Sequence, residues 1–179
     1  MKTLTLLRHA KSSWDDPVAR DFDRPLNARG QRAAVIVGRH MRNERLAFDH
    51  VVASPALRVV ETIAEFEGGF GTRLEPAWDR RAYLASATTL MDIVRETPAQ
   101  AARLLLIGHN PGLEELVLLL VADGGDELRD RVEEKYPTAS VAELSFEVED
   151  WTAVDEGRGE LTRFVRPRDV DPTLGPEYA

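Results

Sequence analysis

Two short, mainly apolar runs, at residues 4–7 and 104–107, most constrain the fold of this chain. Strands that are buried on both faces have continuous hydrophobic runs of this kind, and they occur in parallel sheets covered by helices. Segments with helical spacing alternate with such runs along the chain. We therefore predict an α/β domain of three layers, in which a mixed, mostly parallel sheet carries helices on both faces.

Helices are predicted where apolar residues recur three or four positions apart. One covers residues 28–43. Another begins at Ser54-Pro55, where serine would cap the helix and proline would take the first helical position. The residues of this second helix expected to face the core are Leu57, Val60 and Ala64. Ser86 would cap a third helix, and a fourth would follow the Gly-His-Asn-Pro-Gly turn at residues 108–112.

The remaining strands are predicted from runs of alternating or continuous apolar residues. One lies at residues 50–53, and another at 142–148, where apolar and polar residues alternate as in a half-solvated strand. A turn then leads to a last strand at residues 161–166. We assign residues 1–166 to one domain and the proline- and charge-rich residues 167–179 to a C-terminal tail on its surface.

Composition excludes several classes of protein. The 23 basic and 31 acidic residues give a net charge of −8, which argues against a nucleic-acid or anionic-membrane surface but is compatible with a small basic pocket. The absence of cysteine rules out disulfides, thiolate metal sites and phosphatases with a cysteine nucleophile. The longest apolar run, at 116–122, is far shorter than a membrane span, and residues 4–7 are too few for a signal peptide. We expect a cytoplasmic protein.

Reactive side chains follow three predicted strands at their carboxyl ends. Arg8 and His9 follow the first strand, Arg58 lies about one turn into the helix after the second, and His109 follows the strand at 104–107. Parallel strands bring these ends to one sheet edge, where α/β folds bind ligands. Guanidinium groups and helix N-termini both favour phosphate. Together the four side chains predict a phosphate site, although an Arg-His pair alone is more often an ordinary surface feature.

These motifs resemble those of the histidine phosphatase superfamily, whose fold is phosphoglycerate-mutase-like, and within it the phosphohistidine phosphatase branch typified by SixA. The resemblance covers roughly residues 1–166, with the motifs in the same order. The matching segments are residues 7–12, 21–27, 54–58, 83–86, 108–112 and 136–138. The resemblance implies a phosphatase that needs no cofactor. The four histidines also lack zinc-protease spacing, so we expect no metal.

The resemblance also implies a role for each residue of the phosphate site. His9 would be the nucleophile that becomes phosphohistidine, which water then hydrolyses. Arg8, Arg58 and His109 would bind the non-bridging oxygens of the phosphoryl group. His9 must be neutral to attack, whereas His109 is useful as a cation, and two neighbouring histidines titrate as a coupled set.

Other candidate site residues have weaker support in the sequence. Lys11 and Ser12 follow the Arg-His pair and are expected to line the mouth of the site, although either could equally be a solvated loop residue. Many members of the superfamily that hydrolyse esters carry an acidic residue after the arginine-bearing helix, which protonates the alkoxide leaving group. Glu75 and Asp79 lie in the comparable stretch, but neither matches a motif, so the general acid is left unassigned.

Three functions remain open at this point. The favoured substrate is a phosphohistidine on a signalling or phosphotransfer protein, because imidazole leaves with little help from an acid. A phosphatase acting on a small phosphorylated metabolite would share the same four residues. A noncatalytic module that binds phosphorylated partners would need only the arginines, so the presence of both histidines argues against it.

Overall fold

The computed structural model describes residues 1–17 and 19–176, and a six-stranded sheet forms its middle layer. The strands are β1 (Lys2–Arg8), β2 (His50–Ala53), β3 (Ala77–Trp78), β4 (Arg103–Gly108), β5 (Val141–Phe146) and β6 (Glu160–Val165). Their order across the sheet is β3-β2-β4-β1-β5-β6. The first four are mutually parallel, and β5 runs antiparallel to both β1 and β6. The predicted mixed, mostly parallel sheet is confirmed.

Helices cover both faces of this sheet. They are α1 (Ala28–Asn43), α2 (Leu57–Phe70), α3 (Ala87–Arg95), α4 (Gly112–Leu120), α5 (Glu127–Glu134) and α6 (Pro167–Val170). Short 3₁₀ segments are formed by Asp21–Asp23, Arg80–Ala82, Trp151–Ala153 and Pro172–Leu174. The range predicted for α1 is confirmed, and Ser86 caps α3 as predicted by accepting a hydrogen bond from the Thr89 amide at 3.2 Å. None of the described helices has the length and apolar character needed to cross a bilayer.

The two central strands are apolar because they face two cores. Leu4 and Leu6 of β1 contribute to the core beneath α3 and α4, whereas Leu7 lies in the core beneath α1 and α2. In β4, Leu104 and Leu105 alternate between the same two cores, and both are at most 1% exposed. Burying such a side chain stabilises the folded protein by roughly 1.5–3 kcal/mol. The two strands are therefore firmly held in the fold, and so are their carboxyl ends.

The start of α2 differs from the prediction. The helix begins at Leu57 with Ala56 at the N-cap position, so Ser54 and Pro55 precede it and Ser54 is not the cap. Arg58 is consequently the second residue of the helix rather than one turn inside it. The Ser-Pro pair is a local signal for a helix start, but the hydroxyl of Ser54 is engaged elsewhere in the fold.

The buried face of α2 also differs from the prediction. Val60 is 37% exposed and Ala64 lies on the solvent side, whereas Val59, Ile63 and Phe66 are buried in the core shared with α1. Both sets of residues have helical spacing, so periodicity alone did not distinguish them. The set that includes Phe66 buries more apolar surface, and burial is favourable in proportion to that area.

The C-terminal residues that we predicted to form a surface tail are folded up to the limit of the described chain at 176. Pro167 at the start of α6 is buried, and Leu174 is 9% exposed against the core beneath α1 and α2. The Arg29 guanidinium on α1 donates a hydrogen bond to the Gly175 carbonyl. This segment is therefore fastened to α1. The last two predicted strands are also present, but β5 ends at Phe146, two residues early.

Candidate active site

The carboxyl ends of β1, β2 and β4 lie side by side at one edge of the sheet. Arg8 pairs with Gly108, and Ala53 pairs with Ile107. Each of the three strands therefore ends at the same level of the sheet, and the residues that follow them lie in one small region. The prediction that three junctions share an edge is confirmed by this register.

Three predicted site residues come together in this region and are nearly inaccessible to solvent. The rings of His9 and His109 have centroids 5.2 Å apart, and Arg58 Nε donates a hydrogen bond to His9 Nε2 at 3.4 Å. His9 is 7% exposed, His109 is 3% exposed and Arg58 is 2% exposed. Interactions buried in this way are screened little by water, so each is stronger than on the surface.

The position of the His9 proton follows from its neighbours. His9 Nδ1 lies 2.7 Å from the Ala10 carbonyl oxygen, and because a carbonyl only accepts, Nδ1 carries the hydrogen. Nε2 then holds a lone pair, which accepts the hydrogen bond from Arg58. Burial, followed by the nearby His109, Arg8 and Arg58, lowers the pKa of His9 to about 3. His9 is therefore neutral near pH 7, with an unprotonated Nε2 whose lone pair is able to attack an electrophile.

His109 has different hydrogen-bonding partners. Its Nε2 lies 2.7 Å from the Ser54 hydroxyl oxygen, and its Nδ1 is buried with no hydrogen-bond partner among the described residues. Burial and then the Arg58 charge lower the pKa of His109 to about 3. Both histidines are thus neutral in the unliganded protein, rather than divided between a neutral and a cationic form as we expected. A bound anion would raise the pKa of His109, because its negative charge favours the protonated ring.

The loop before β5 fixes the position of Arg8. Arg8 Nη1 and Asn110 Nδ2 both donate to the Tyr136 carbonyl oxygen at 2.9 Å. The buried Tyr136 hydroxyl in turn donates to the Leu6 carbonyl of β1 at 2.6 Å. Asn110 Oδ1 also accepts from the Glu114 amide at 3.2 Å, although the N-cap position of α4 is taken by Pro111. The backbone of one loop therefore ties the Arg8 and His109 junctions together.

Asp21 is a site residue to which we assigned no role from the sequence. Its carbonyl accepts from Arg58 Nη1 at 2.7 Å, and its Oδ2 accepts from Arg58 Nη2 at 3.0 Å. The Tyr83 hydroxyl donates to the same carboxylate. Partial burial raises the pKa of Asp21, but the hydrogen bonds from Tyr83 and Arg58 outweigh this and lower it to about 2. Asp21 is ionised and orients Arg58.

Tyr83 forms an aromatic wall of the site. Its ring meets the His109 ring edge to face, with centroids 5.4 Å apart, and the Arg58 guanidinium lies 5.9 Å from its centroid. Phe22 packs edge-on behind it at 5.1 Å. The motifs at 21–27 and 83–86 were the available signals for Asp21 and Tyr83, but sequence alone did not show that they contact each other.

The structure separates the two residues predicted at the mouth. Lys11 is exposed and lines a groove that begins at Arg8. Ser12 is instead only 9% exposed, and its hydroxyl accepts from Arg24 Nη1 at 2.6 Å. Arg24 also contacts Asp21 at 3.2 Å. Ser12 therefore supports the loop that carries Asp21, and within the described residues its hydroxyl makes no hydrogen bond to His9 or His109.

Neither carboxylic acid considered from the sequence is suited to donate a proton in this site. Glu75 is exposed and precedes β3, at the edge of the sheet away from the histidines. Asp79 follows β3, but Arg81 Nη2 binds its carboxylate at 2.8 Å and the Arg81 hydrogen bond lowers its pKa. A general acid must hold its proton near the working pH. Within residues 1–17 and 19–176, no group of His, Asp and Glu side chains clusters as a metal site would require.

This arrangement combines a neutral nucleophile with fixed donors for an anion. His9 Nε2 presents a lone pair beside Arg58, and Arg8 Nε and His109 Nδ1 are buried nitrogens whose hydrogen-bonding capacity no described residue uses. Leaving such groups unpaired costs about 1–3 kcal/mol each, so an oxyanion that accepts from them would bind favourably. The arrangement can therefore hold an oxyanion such as a phosphoryl group beside a nitrogen that has a free lone pair.

Comparisons with known proteins agree with this geometry. The model of the histidine phosphatase superfamily (branch 1) matches residues 4–83. An uncharacterized protein of Mycobacterium tuberculosis is 32% identical over 164 residues, which cover 90% of this chain and all of that protein. An uncharacterized protein of Mycobacterium leprae is 29% identical over 167 residues, with the same coverage.

Solved structures with a similar fold span nearly the whole chain. Two proteins that carry the provisional name phosphohistidine phosphatase SixA match it closely. The Agrobacterium tumefaciens structure has a TM-score of 0.78 and 27% identity, and covers 93% of this chain and 98% of its own. The Nakamurella multipartitia structure has a TM-score of 0.81 and 28% identity, with 93% and 96% covered. A protein histidine phosphatase SixA complexed with tungstate, 18% identical, shares the fold at a TM-score of 0.77 over 94% of this chain and 99% of its own.

Proposed function

The chain belongs to the histidine phosphatase superfamily and is a phosphatase, and from this premise we propose that it dephosphorylates phosphohistidine on a signalling or phosphotransfer protein. The single observation that carries the chemistry is the state of His9: buried, neutral, and with Nε2 facing Arg58. The substrate class is supported by the two relatives of 27% and 28% identity that bear the SixA name.

In the first step, the lone pair of His9 Nε2 attacks phosphorus in line with the leaving group. A bond forms between Nε2 and phosphorus while the bond from phosphorus to the substrate imidazole breaks. The electron pair stays on that nitrogen, and the substrate ring, which carries a proton on its other nitrogen, leaves as neutral imidazole. His9 Nδ1 keeps its hydrogen bond to the Ala10 carbonyl oxygen, which lies 2.7 Å away. This hydrogen bond stabilises the positive charge that develops on the ring.

In the second step, water attacks the phosphorus of the His9 intermediate. The bond between phosphorus and Nε2 breaks, inorganic phosphate leaves, and His9 returns to its neutral form with the proton on Nδ1. Splitting the transfer in two lets the same imidazole act first as nucleophile and then as leaving group.

The charges around His9 hold the phosphoryl group through both steps. Arg8 and Arg58 donate to its non-bridging oxygens, with Asp21 and the Tyr136 carbonyl holding the two guanidiniums in place. The negative charge of the phosphoryl group raises the pKa of His109, whose protonated ring then adds a third positive charge. Preorganised charges of this kind are usually the largest contribution to catalysis.

The choice of phosphohistidine over a phosphate ester is supported by two carboxylates near the site, those of Asp21 and Asp79. An alkoxide needs a proton as its bond to phosphorus breaks, but the pKa values of Asp21 and Asp79 are lowered, so both are ionised near pH 7. Imidazole has a conjugate acid with a pKa of about 6.5 and leaves without a dedicated acid.

Turnover of three substrate classes tests this choice. We expect the highest kcat/KM on a phosphohistidine protein, an intermediate value on activated aryl phosphates and the lowest on alkyl phosphates. If alkyl phosphate monoesters are the best substrates, the protein is instead a phosphatase of small metabolites. If no phosphorylated compound is turned over while phosphorylated proteins still bind, it is a binding module.

A further inference from the structure

A basic groove extends from Arg8 across the surface next to the histidine pair. Its volume is about 810 Å³, and it is lined by the loop after β1, by α1, by the loop before β5 and by the C-terminal segment. Its basic residues are Arg8, Lys11, Arg29, Lys135, Arg166 and Arg168. No Asp or Glu lies among its described lining residues, although an adjoining cavity includes Asp169. We call this surface the basic groove.

The basic groove differs in charge from the molecule as a whole. The chain has 31 acidic and 23 basic residues, so an average stretch of its surface is negative. Within the groove, Arg166 is neutralised by Asp169 at 2.8 Å, and Glu134 lies near it. Lys135 and Arg168, by contrast, have no carboxylate within ion-pair distance in the described part of the chain. Their charges are available to an anionic partner.

The contacts that position Arg8 beside the two histidines also position the residues of the basic groove. Lys135 directly precedes Tyr136, whose carbonyl binds Arg8 at 2.9 Å and whose hydroxyl binds β1. Arg168 lies on α6, which is anchored by the buried Pro167. The groove therefore has a fixed position relative to His9, and a substrate bound at Arg8 would continue into it.

We propose that the basic groove binds an acidic polypeptide segment that flanks the phosphorylated residue of the substrate, an inference that rests on the proposed function because it needs a protein substrate. The cations are spread over separate segments of the chain, which suits several carboxylates along a peptide better than one compact anion. Leu174 and the prolines 137, 167 and 176 supply apolar lining between them. Such complementarity also accelerates association by steering the partner.

Two phosphohistidine peptides of equal length, with glutamates or glutamines beside the phosphorylated residue, test the proposal. For the wild-type protein we expect a higher kcat/KM on the glutamate peptide. The double variant Lys135→Ala/Arg168→Ala should lower kcat/KM on that peptide about fivefold, mainly through KM, because each exposed ion pair contributes a modest amount. Its turnover of the glutamine peptide should change little. Equal turnover of both peptides by the wild-type protein would overturn the proposal.

A matched control removes the same charge from the other side of the molecule. Arg73 precedes β3 and Arg158 precedes β6, so both exposed residues lie near the edge of the sheet opposite the histidines. Arg73→Ala/Arg158→Ala should leave turnover of the glutamate peptide unchanged. An equal loss in this variant would mean that net charge, rather than the groove, attracts the peptide, and would contradict the proposal.

Direct binding distinguishes failure of the groove from failure of the proposed function. A fluorescently labelled glutamate peptide without phosphate should bind the wild-type protein and bind Lys135→Ala/Arg168→Ala about fivefold more weakly in anisotropy titrations. If neither phosphohistidine peptide is turned over, the proposed function is wrong, yet this binding arm still supports or rejects the groove. If tripolyphosphate binds in a Lys135- and Arg168-dependent way and the peptide does not, the groove is a small-molecule subsite and the proposal is wrong.

Discussion

His9 and His109 occupy two junctions that look equivalent but differ in what their ring nitrogens contact. Each follows a central parallel strand, each has a pKa lowered to about 3, and their centroids are 5.2 Å apart. At the first junction a backbone carbonyl, that of Ala10, faces one ring nitrogen. At the second junction a hydroxyl, that of Ser54, does so.

The difference between a carbonyl and a hydroxyl separates the two roles. The carbonyl accepts only, so it fixes the His9 proton on Nδ1 and leaves Nε2 as a nucleophile. A proton added to Nε2 would point at the Arg58 Nε–H, which lies 3.4 Å away. The Ser54 hydroxyl can donate or accept, so His109 can gain a proton and keep this hydrogen bond. The two pKa values are alike in the unliganded protein, but only His109 keeps its hydrogen bond when a bound anion favours protonation of the ring.

The largest effect is expected from removing the first histidine. His9→Ala should reduce turnover by on the order of 10³-fold or more, because no covalent intermediate can form. The arginines remain, so the folded variant should still bind phosphate or vanadate weakly. Steady-state kinetics and a binding titration measure the two effects, with circular dichroism as the control for folding. Substantial residual turnover would contradict the assignment of His9.

The second histidine should matter less, and in a different way. His109→Gln retains hydrogen-bonding groups but cannot become a cation, so we expect kcat to fall about 10²-fold, the usual cost of losing one charge-stabilising donor. His9 should still become phosphorylated, only more slowly, in a single-turnover experiment. Loss of all phosphorylation in this variant would place the nucleophile, rather than a charge, at His109.

The lowered pKa values also predict how stability depends on pH. In the unfolded chain each histidine binds a proton below about pH 6.5, but in the folded protein His9 and His109 remain neutral down to about pH 3. The unfolded state therefore binds more protons within this window. As pH falls from 6.5 towards 3, the free energy of unfolding should decrease by at most about 1.4 kcal/mol per pH unit for each of the two histidines.

Urea unfolding at pH 7 and pH 5 measures this dependence. His109→Gln should show a smaller loss of stability between the two pH values than the wild-type protein, because one of the two neutral histidines is gone. His40→Gln, on α1 away from the site, is a matched control and should retain the wild-type dependence. Identical pH dependence in wild type and His109→Gln would show that His109 is protonated in the folded protein.

The smallest effect is expected from substitutions of residues that belong to neither histidine junction. Glu75→Gln and Asp79→Asn should change phosphohistidine turnover less than about twofold, because Glu75 is exposed and the Asp79 carboxylate is bound by Arg81. Asp79→Asn can lower stability by up to about 1 kcal/mol through that partly exposed ion pair. An essential carboxylate at either position would reveal the general acid that a phosphate-ester substrate requires.

The features that the sequence predicted correctly are those with local signals. The apolar runs at 4–7 and 104–107 identified the two central strands, and helical spacing placed α1 at Ala28–Asn43. Because parallel strands end at one edge, the meeting of the Arg8-His9 and His109 junctions followed from the fold class. The residue types at these ends then indicated a phosphate site.

The features that the sequence did not predict depend on contacts between distant segments. Ser54 reads locally as a helix cap, but its hydroxyl contacts His109, 55 residues away. Asp21 reads as an ordinary loop carboxylate, but it binds Arg58, 37 residues away. The His9 proton is positioned by a backbone carbonyl, which every residue has, so no sequence pattern could reveal it.

The most direct test of the difference between the two histidines is the position of the phosphoryl group in the trapped intermediate. Rapid quenching under alkaline conditions, followed by peptide mass spectrometry and ³¹P NMR, identifies both the residue and the ring nitrogen. We predict acid-labile phosphate on His9, attached through Nε2, because Nδ1 is held by the Ala10 carbonyl. Phosphate on His109, or on Nδ1 of His9, would contradict it.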